Sequence, residues 1–466
     1  MTLDTPAPDA TLDPVLDRID ADLDAALARL SALLAIPSVS TDPAHAADCD
    51  RAADWLVADL AGLGFEARKC PTAGQPMVLA RSAGDGPRYL FYGHYDVQPA
   101  DPLDLWDALP FEARVEDTAH GRVIRARGAS DDKGQLMTFV EACRAWRAVH
   151  GALPGPLTIF FEGEEESGSP SLVPFLRDNA DALSAEVALI CDTGLFADLV
   201  PAIVTQLRGL VGEEVTITGP SKDLHSGMFG GIAMNPARVL ARILASLHDD
   251  TGRVTLPGFY DGVPGLSDDL RAQWEGLGFD AGGFLGAVGL SQPAGEAGRT
   301  PLEMIWSQPT AEINGLWSGY TGAGFKTVLP STASAKVSFR LVGDQDPQAI
   351  RDAFRDRVRA MLPSDCTADF AAHGGAPASR MATDHPAFAR ARAALSDEWP
   401  DPAAFVGSGG SIPVAGHFKD ILGMDSLLVG FARDDDQIHS PNEKYDVESF
   451  RKGIRSWARI LHALRT

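Results

Sequence analysis

Five places in the sequence offer nitrogen or oxygen donors of the kind that hold divalent cations. His94 and Asp96 stand two residues apart in GHYDVQPAD, and Asp131 and Asp132 are adjacent in RARGASDDKG. Glu162, Glu164, Glu165 and Glu166 crowd LTIFFEGEEESGSP, Asp192 follows the apolar run of EVALICDTG, and His439 lies in ARDDDQIHSPNEKY. None of these donors is a thiolate. Imidazole and carboxylate with open positions are the donors of catalytic rather than structural zinc, and the set His94, Asp131, Glu166, Asp192 and His439 suits two zinc ions bridged by one carboxylate. Three carboxylates and a hydroxide offset the four positive charges that two such ions bring. Glu165 is then left over as a general base.

Taken singly, each feature has a plainer reading. An Asp pair ahead of a helix is an N-cap with its neighbour, a lone histidine is a satisfied structural one, and an acid run is a solvated face. Recurrence changes the balance, because each donor follows an apolar, strand-like run. In open α/β sheets ligands gather beyond the carboxyl ends of the strands, and like charges packed there are costly without a cation.

The elements that must carry these residues read as follows. Apolar residues at helical spacing over 16–34, ending before Pro37, predict one amphipathic helix, and a second covers about 50–63. Short buried strands are expected at 77–80 and 89–92, in RVIRA before the SDDKG turn, and in LTIFFE and EVALIC, with a helix at about 170–178 between the last two. From about Leu210 the pattern changes. EEVTITG and AKVSFRLV alternate like half-exposed strands, while NPARVLARILASL (cap Asn235, Pro236 at the first position) and DPQAIRDAFRDRVRAML read as helices. This is a small α+β domain inserted into a larger one, with 258–299, rich in Gly, Pro and Asp, as an extended excursion. The chain returns through HPAFARARAAL, the loop GSGGSIPV, the strand SLLVGF and a closing helix, Val447–Leu464. Residues 1–208 and 381–466 thus form the two parts of a catalytic domain, and 209–380 the insert.

Composition narrows the class. The 466 residues are 45% apolar and 22% charged, a globular balance, with no apolar run long enough to span a bilayer. The net charge of -24 argues against nucleic acid and anionic membranes as partners. Five scattered cysteines without a C-x-x-C pair suggest reduced, buried thiols, and the acidic N-terminus lacks the features of a secretory signal, so a cytoplasmic location is expected.

HYDVQP, GASDDKG, EGEEESGS, KDLHSG, GGSIPV and HSPNEKY, in this order, resemble the two-zinc metallopeptidase family of carnosinase-type cytosolic nonspecific dipeptidases, glutamate carboxypeptidase and aminoacylase, the dipeptidase branch most of all. The likeness runs from about residue 15 to the end. It implies a zinc-peptidase-like catalytic domain, α/β with a central mostly parallel sheet between helices, and an inserted ferredoxin-like lid and dimerisation domain. It also implies two zinc ions per chain, with manganese or cobalt as substitutes, and a homodimer. In the roles so implied, His94, Glu166, Asp192 and His439 are ligands, and Asp131 bridges both ions through a turn whose peptide to Asp132 is cis. Asp96 orients His94, Glu165 is the general base, and His225 reaches the partner's active site to stabilise the oxyanion. Arg340 with Gly409, Gly410 and Ser411 holds the substrate carboxylate, and His373 lines the substrate. Two departures stand out: Gly407 and Ser408 replace an Arg and a Glu of the carnosinase-like enzymes, and Glu164 replaces an uncharged residue and is given no role.

The expected activity is hydrolysis of the amide bond of a dipeptide or short peptide with a free C-terminal carboxylate, through a metal-bridging hydroxide and the Glu165 base. The alternative is the same chemistry on an N-acyl or N-carbamoyl amino acid. A non-catalytic binding protein on this fold would need neither Glu165 nor the five ligands. A serine α/β-hydrolase is excluded by the lack of a G-x-S-x-G elbow.

Overall fold

Runs in which nearly every residue is apolar belong to strands covered on both faces, and Met77–Arg81, Tyr89–His94, Leu157–Glu162 and Val187–Ile190 are almost wholly buried. In the computed structural model, which describes residues 11–197, 199–410 and 412–465, these strands lie in one mixed sheet. Seven of its nine strands run in the order Glu66–Cys70, Met77–Arg81, Leu157–Glu162, Tyr89–His94, Val187–Ile190, Ser426–Leu428, Ala202–Leu207, and Ser379–Arg380 and Ala404–Ser408 both pair with the last of these. The middle four strands are mutually parallel, and antiparallel pairs flank them on both sides. Helices Lys133–His150 and Val447–Leu464 pack together against this sheet. Phe139 stacks on Phe91 of the sheet at 3.7 Å between centroids, and Trp457 meets both rings edge-on at 5.5 Å.

Three expectations are corrected here. Residues 16–34 form two helices, Asp13–Ala21 and Leu23–Leu34, because Asp22 leaves the helical region (ψ 6°) while its carboxylate accepts from Arg18. The apolar spacing runs on through the break and so hides it. The strand ahead of Asp131, Gly121–Arg125, is not in the central sheet; it is the middle of a separate antiparallel sheet between Arg114–Thr118 and Lys444–Asp446. The stretch 258–299 is not simply extended, for it contains helices Asp268–Gly276 and Ala281–Gly286, capped by the side chains of Ser267 and Asp280.

By its internal contacts the chain divides into two compact units. One comprises Met1–Thr205, Met381–Phe405 and His417–Thr466, and the other Gln206–Arg380 and Val406–Gly416. The second holds an antiparallel sheet in the order Thr310–Ser318, Thr332–Leu341, Gly209–Thr218, Thr367–Ala376. With helices Pro236–Ala245 and Pro347–Met361 on one face, the chain order is strand, helix, strand, strand, helix, strand, a ferredoxin-like arrangement. Gly209–Thr218 alternates strictly between buried and half-buried residues, and its inward Val211, Val215 and Ile217 pack with Leu240, Ile243, Phe339 and Phe354. Residues 406–416, read from sequence with the catalytic part, group with this unit: Arg208 Nε donates to the carbonyl of Gly409 at 3.2 Å, and Gly407 lies against Trp306. Among the described residues, no helix is long and apolar enough to cross a membrane.

Candidate metal centre

Parallel strands bring their carboxyl ends to one side, and three of the expected ligands leave from there. His94 is the last residue of its strand, Glu166 follows Leu157–Glu162 in a single 3-10 turn, and Asp192 lies two residues beyond Val187–Ile190. Asp131 arrives from the separate small sheet. His439 comes from a loop well beyond Ser426–Leu428, with a left-handed backbone (φ 63°), rather than directly off a strand end.

These five side chains nonetheless converge as two groups of three that share one member. His94, Asp131 and Asp192 bring their ligand atoms within 4.8 Å of one another, and so do Asp131, Glu166 and His439. Asp131 Oδ1 lies 3.1 Å from His94 Nε2, and its Oδ2 lies 2.9 Å from His439 Nε2. Glu166 Oε2 is 3.4 Å from the same His439 nitrogen and accepts from Gln98 Nε2 at 2.8 Å. The peptide between Asp131 and Asp132 is cis, as the resemblance implies.

Asp96 is fully buried and faces two ways. Its Oδ1 is 3.4 Å from His94 Nδ1, while the amides of Glu165 and Glu166 donate to its two oxygens at 3.3 and 3.0 Å. One carboxylate therefore orients both the imidazole and the turn bearing the two glutamates. The plain N-cap reading of the Asp pair does not hold. Asp132 makes no side-chain cap, and its Oδ2 instead accepts from the His94 amide at 3.1 Å and from the Cys191 thiol at 3.2 Å.

Electrostatics tests the fit of a cation. Burial, followed by the charge of Asp131, pushes the Asp192 carboxyl well above its ordinary range, and burial with Asp192, Glu166 and Asp96 nearby takes Glu165 up to about 8 against the pull of His94. Hydrogen bonds to Asp131 and Glu166 raise the His439 imidazole to about 10. His94 is driven down by burial, but the carboxylates of Asp131 and Asp96 outweigh that and hold it well above its usual value. Burial would likewise raise Asp131, and the pairs with His439 and His94 override it and hold it low. Carboxylates thus outnumber the cations that could neutralise them, and protons held on imidazoles occupy the places of positive charge. Glu166 Oε1 is buried and without a hydrogen-bond partner. An orphan acceptor beside surplus negative charge, with imidazole and carboxylate donors only, fits two divalent cations sharing Asp131.

Three acids outside the ligand set have structural surroundings. Glu164 is buried and accepts from the amides of Gln75 (2.7 Å) and Ser171 (3.0 Å), which answers why an extra charge is tolerated there. Glu162 is fully buried, receives the Tyr92 hydroxyl at 2.7 Å, and is pushed up to about 8 chiefly by burial. Sequence reasoning passed over Glu443, which lay inside the quoted HSPNEKY segment; its carboxylate accepts from Arg127, Gly128, Ser130 and Asp131. No local pattern marks it, since its partners are mostly backbone amides far away in sequence. Asp435, Asp436 and Asp446 also cluster, but Lys444 Nζ sits 2.7 to 2.9 Å from all three and supplies the cation itself.

The second unit carries the remaining expected residues. His225 is exposed and caps the short helix Ser226–Phe229 through Nδ1, which accepts from the Gly227 amide at 3.0 Å. Arg340 is half-buried on Thr332–Leu341, and its charge together with burial lowers the neighbouring Arg208, burial being the larger cause, to about 10. Arg208 also holds the Gly409 carbonyl, so Arg340 and the glycine loop belong to one neighbourhood. His373 is exposed, its Nε2 3.4 Å from Glu214. Ser411 lies outside the described residues. A Cβ on Gly407 would meet Trp306 Cβ at 2.5 Å, so the absence of a side chain there is what lets Trp306 pack against the loop.

Residues 90–463 match the family described as peptidase family M20/M25/M40. A Cys-Gly metallodipeptidase of Schizosaccharomyces pombe is 31% identical over 97% of this chain and 98% of its own, and a cysteinylglycine-S-conjugate dipeptidase of Corynebacterium striatum is 31% identical over 90% of both. Among solved structures, the dipeptidase Dug1p of Saccharomyces cerevisiae superposes with a TM-score of 0.79 at 28% identity, covering 98% of each chain.

Proposed function

The chain belongs to peptidase family M20/M25/M40 and is a metal-dependent dipeptide hydrolase, and on that premise we propose that Glu165 is its general base at a two-zinc centre. The observation that carries this reading is the pair of ligand groups sharing Asp131, with Glu165 next to the ligand Glu166 in a turn whose amides donate to Asp96. His94, Asp131 and Asp192 would hold one ion, and Asp131, Glu166 and His439 the other. Two bound ions supply Lewis acidity to the scissile carbonyl and acidify water. Glu165 takes the proton of the attacking water and returns it to the leaving amine, so that it acts first as base and then as acid. Asp96 keeps His94 and the Glu165 turn in register during this exchange. Zinc suits the thiolate-free set, and manganese or cobalt would fit the same donors.

The substrate is a dipeptide whose free C-terminal carboxylate meets Arg340 and the loop of Gly409, Gly410 and Ser411, with His373 at its side. The enzyme is a homodimer in which the partner subunit's His225 stabilises the developing oxyanion. Support comes from the exposed apolar side chains around His225, namely Met228, Phe229 and Ile232, and from Ile313, Leu316 and Trp317 on the edge strand Thr310–Ser318. Such surface in water argues for a covering partner. A reducing, cytoplasmic setting suits the five buried free cysteines. The test is a screen of dipeptides against N-acyl amino acids, with zinc and manganese supplied separately. Dipeptides are expected to turn over at least tenfold faster; preference for N-acyl amino acids would overturn the substrate assignment.

A further inference from the structure

Glu443 is fully buried, and its two oxygens divide four donors between them. Oε2 accepts from Arg127 Nη1 (2.7 Å) and the Gly128 amide (2.9 Å), and Oε1 from the amides of Ser130 (2.9 Å) and Asp131 (3.0 Å). The main chain is tied in the same direction, since the Ala126 amide donates to the Glu443 carbonyl at 3.1 Å. Ser130 Oγ donates across the same gap to buried Asp436 at 2.7 Å. Glu443 therefore clasps the backbone of the turn that presents Asp131. It also lies four residues after His439, at the end of a loop in which Gln437, His439 and Asn442 all adopt left-handed backbone conformations. Three non-glycine residues in that region so close together need surrounding contacts to hold them. His94 is fixed otherwise, by Asp96 and by Asp132, and Asp192 by its strand.

We infer that Glu443 is a positioning residue: it fixes Asp131 against His439, and so sets the affinity of the ion site made by Asp131, Glu166 and His439 more than that of the site containing His94 and Asp192. This rests on the two-ion reading given above. Displacing the clasp disturbs two of three ligands in the first site and one of three in the second. Outer-shell partners of metal ligands are generally worth about 10- to 100-fold in metal affinity.

The experiment titrates metal-stripped, full-length protein with Zn²⁺ against a chromogenic chelator. The parent chain is expected to take two ions. Glu443→Gln keeps the volume but sets an amide N–H against donors, and is expected to weaken one binding step by tenfold or more while the other moves less than about threefold. In the His439→Ala background, where that site is already lost, adding Glu443→Gln should change the remaining step less than threefold. A residue that only held the fold would weaken both steps together and lower the unfolding temperature of the metal-free protein in proportion; that result, or two unchanged steps, overturns the inference. If Glu443→Gln does not fold, Glu443→Asp, which keeps the charge on a shorter arm, is expected to give the same one-site loss at smaller amplitude, and equal losses at both sites overturn the inference there too. A parent chain that takes fewer than two ions would instead sink the two-ion reading itself.

Discussion

Asp131 turns one carboxylate oxygen to each of two imidazoles, Oδ1 at 3.1 Å from His94 Nε2 and Oδ2 at 2.9 Å from His439 Nε2. Neither oxygen is spare, so the residue belongs equally to both ligand groups. Asp131→Ala is expected to abolish tight binding at both sites, taking the metal content from two ions per chain to below one after desalting, as read by elemental analysis. Retention of one tight ion would mean that His94 and Asp192 suffice without it.

Neighbouring glutamates should separate by role. Glu165→Gln is expected to keep two ions and lose at least 1000-fold in kcat, whereas Glu166→Ala should lose metal, because Glu166 sits in a ligand group with His439 and Asp131 and Glu165 does not. Equal metal loss in both variants, or equal activity, would show the assignment to be wrong.

Protons and metal compete at His439. In the metal-free protein its hydrogen bonds to Asp131 and Glu166 raise the imidazole to about 10, so the ring stays cationic where an ordinary histidine is neutral. A metal must displace that proton, so affinity rises with pH by about tenfold per unit for each proton released, and levels off only as the pH nears about 10. Zn²⁺ titrations in buffers of different ionisation enthalpy count the protons, and His439→Ala should release one fewer. An affinity already flat above about pH 7 would contradict the raised value.

Glu164 is expected to matter for stability and not for chemistry. Its carboxylate satisfies the amides of Gln75 and Ser171, while burial, His94, Asp192 and Glu166 are what chiefly move Glu165. Glu164→Ala should cost about 1–3 kcal/mol in urea unfolding, the penalty for stranding buried donors. The pH dependence of kcat should stay where it was; a shifted acidic limb would give Glu164 a part in setting the base.

Subunit exchange tests His225. Each of His225→Ala and Glu165→Ala should be nearly inactive alone, His225→Ala by about 100- to 1000-fold as for other oxyanion donors. If His225 acts across a dimer interface, a mixed dimer holds one site with both lesions and one with neither, and activity returns. No recovery after exchange has been verified by mass would leave His225 acting within its own chain or not at all.

Much of this centre was legible because strand ends are legible. Short buried runs at His94, Glu162 and Ile190 place the residues that follow them on one side of a parallel sheet, and the structure has them there. Asp131 belongs to a ligand group, but its support differs from the one expected: a strand-like run does not say which sheet it joins, and Gly121–Arg125 pairs with Lys444–Asp446, far away in the chain. His439 sits in a loop with left-handed residues at Gln437, His439 and Asn442, and although histidine and asparagine are favoured in that conformation, nothing local says which distant side chains the loop meets. Glu443 was invisible for a related reason, since a carboxylate that answers backbone amides has no side-chain partner to be recognised by. The helix break at Asp22 escaped because apolar spacing is blind to a single non-helical residue.

The five candidate ligands are drawn from points in the chain as far apart as His94 and His439, and that separation would make bound ions cross-links as well as catalysts. An unfolded chain does not gather the set, so ions held by it would favour the folded state and their differential binding free energy would add to its stability. Joining such distant points removes loop entropy much as a long-range disulfide would, in a protein whose five cysteines are all free. Chelation would therefore loosen the first unit as a whole, tying the lifetime of the fold to the supply of metal.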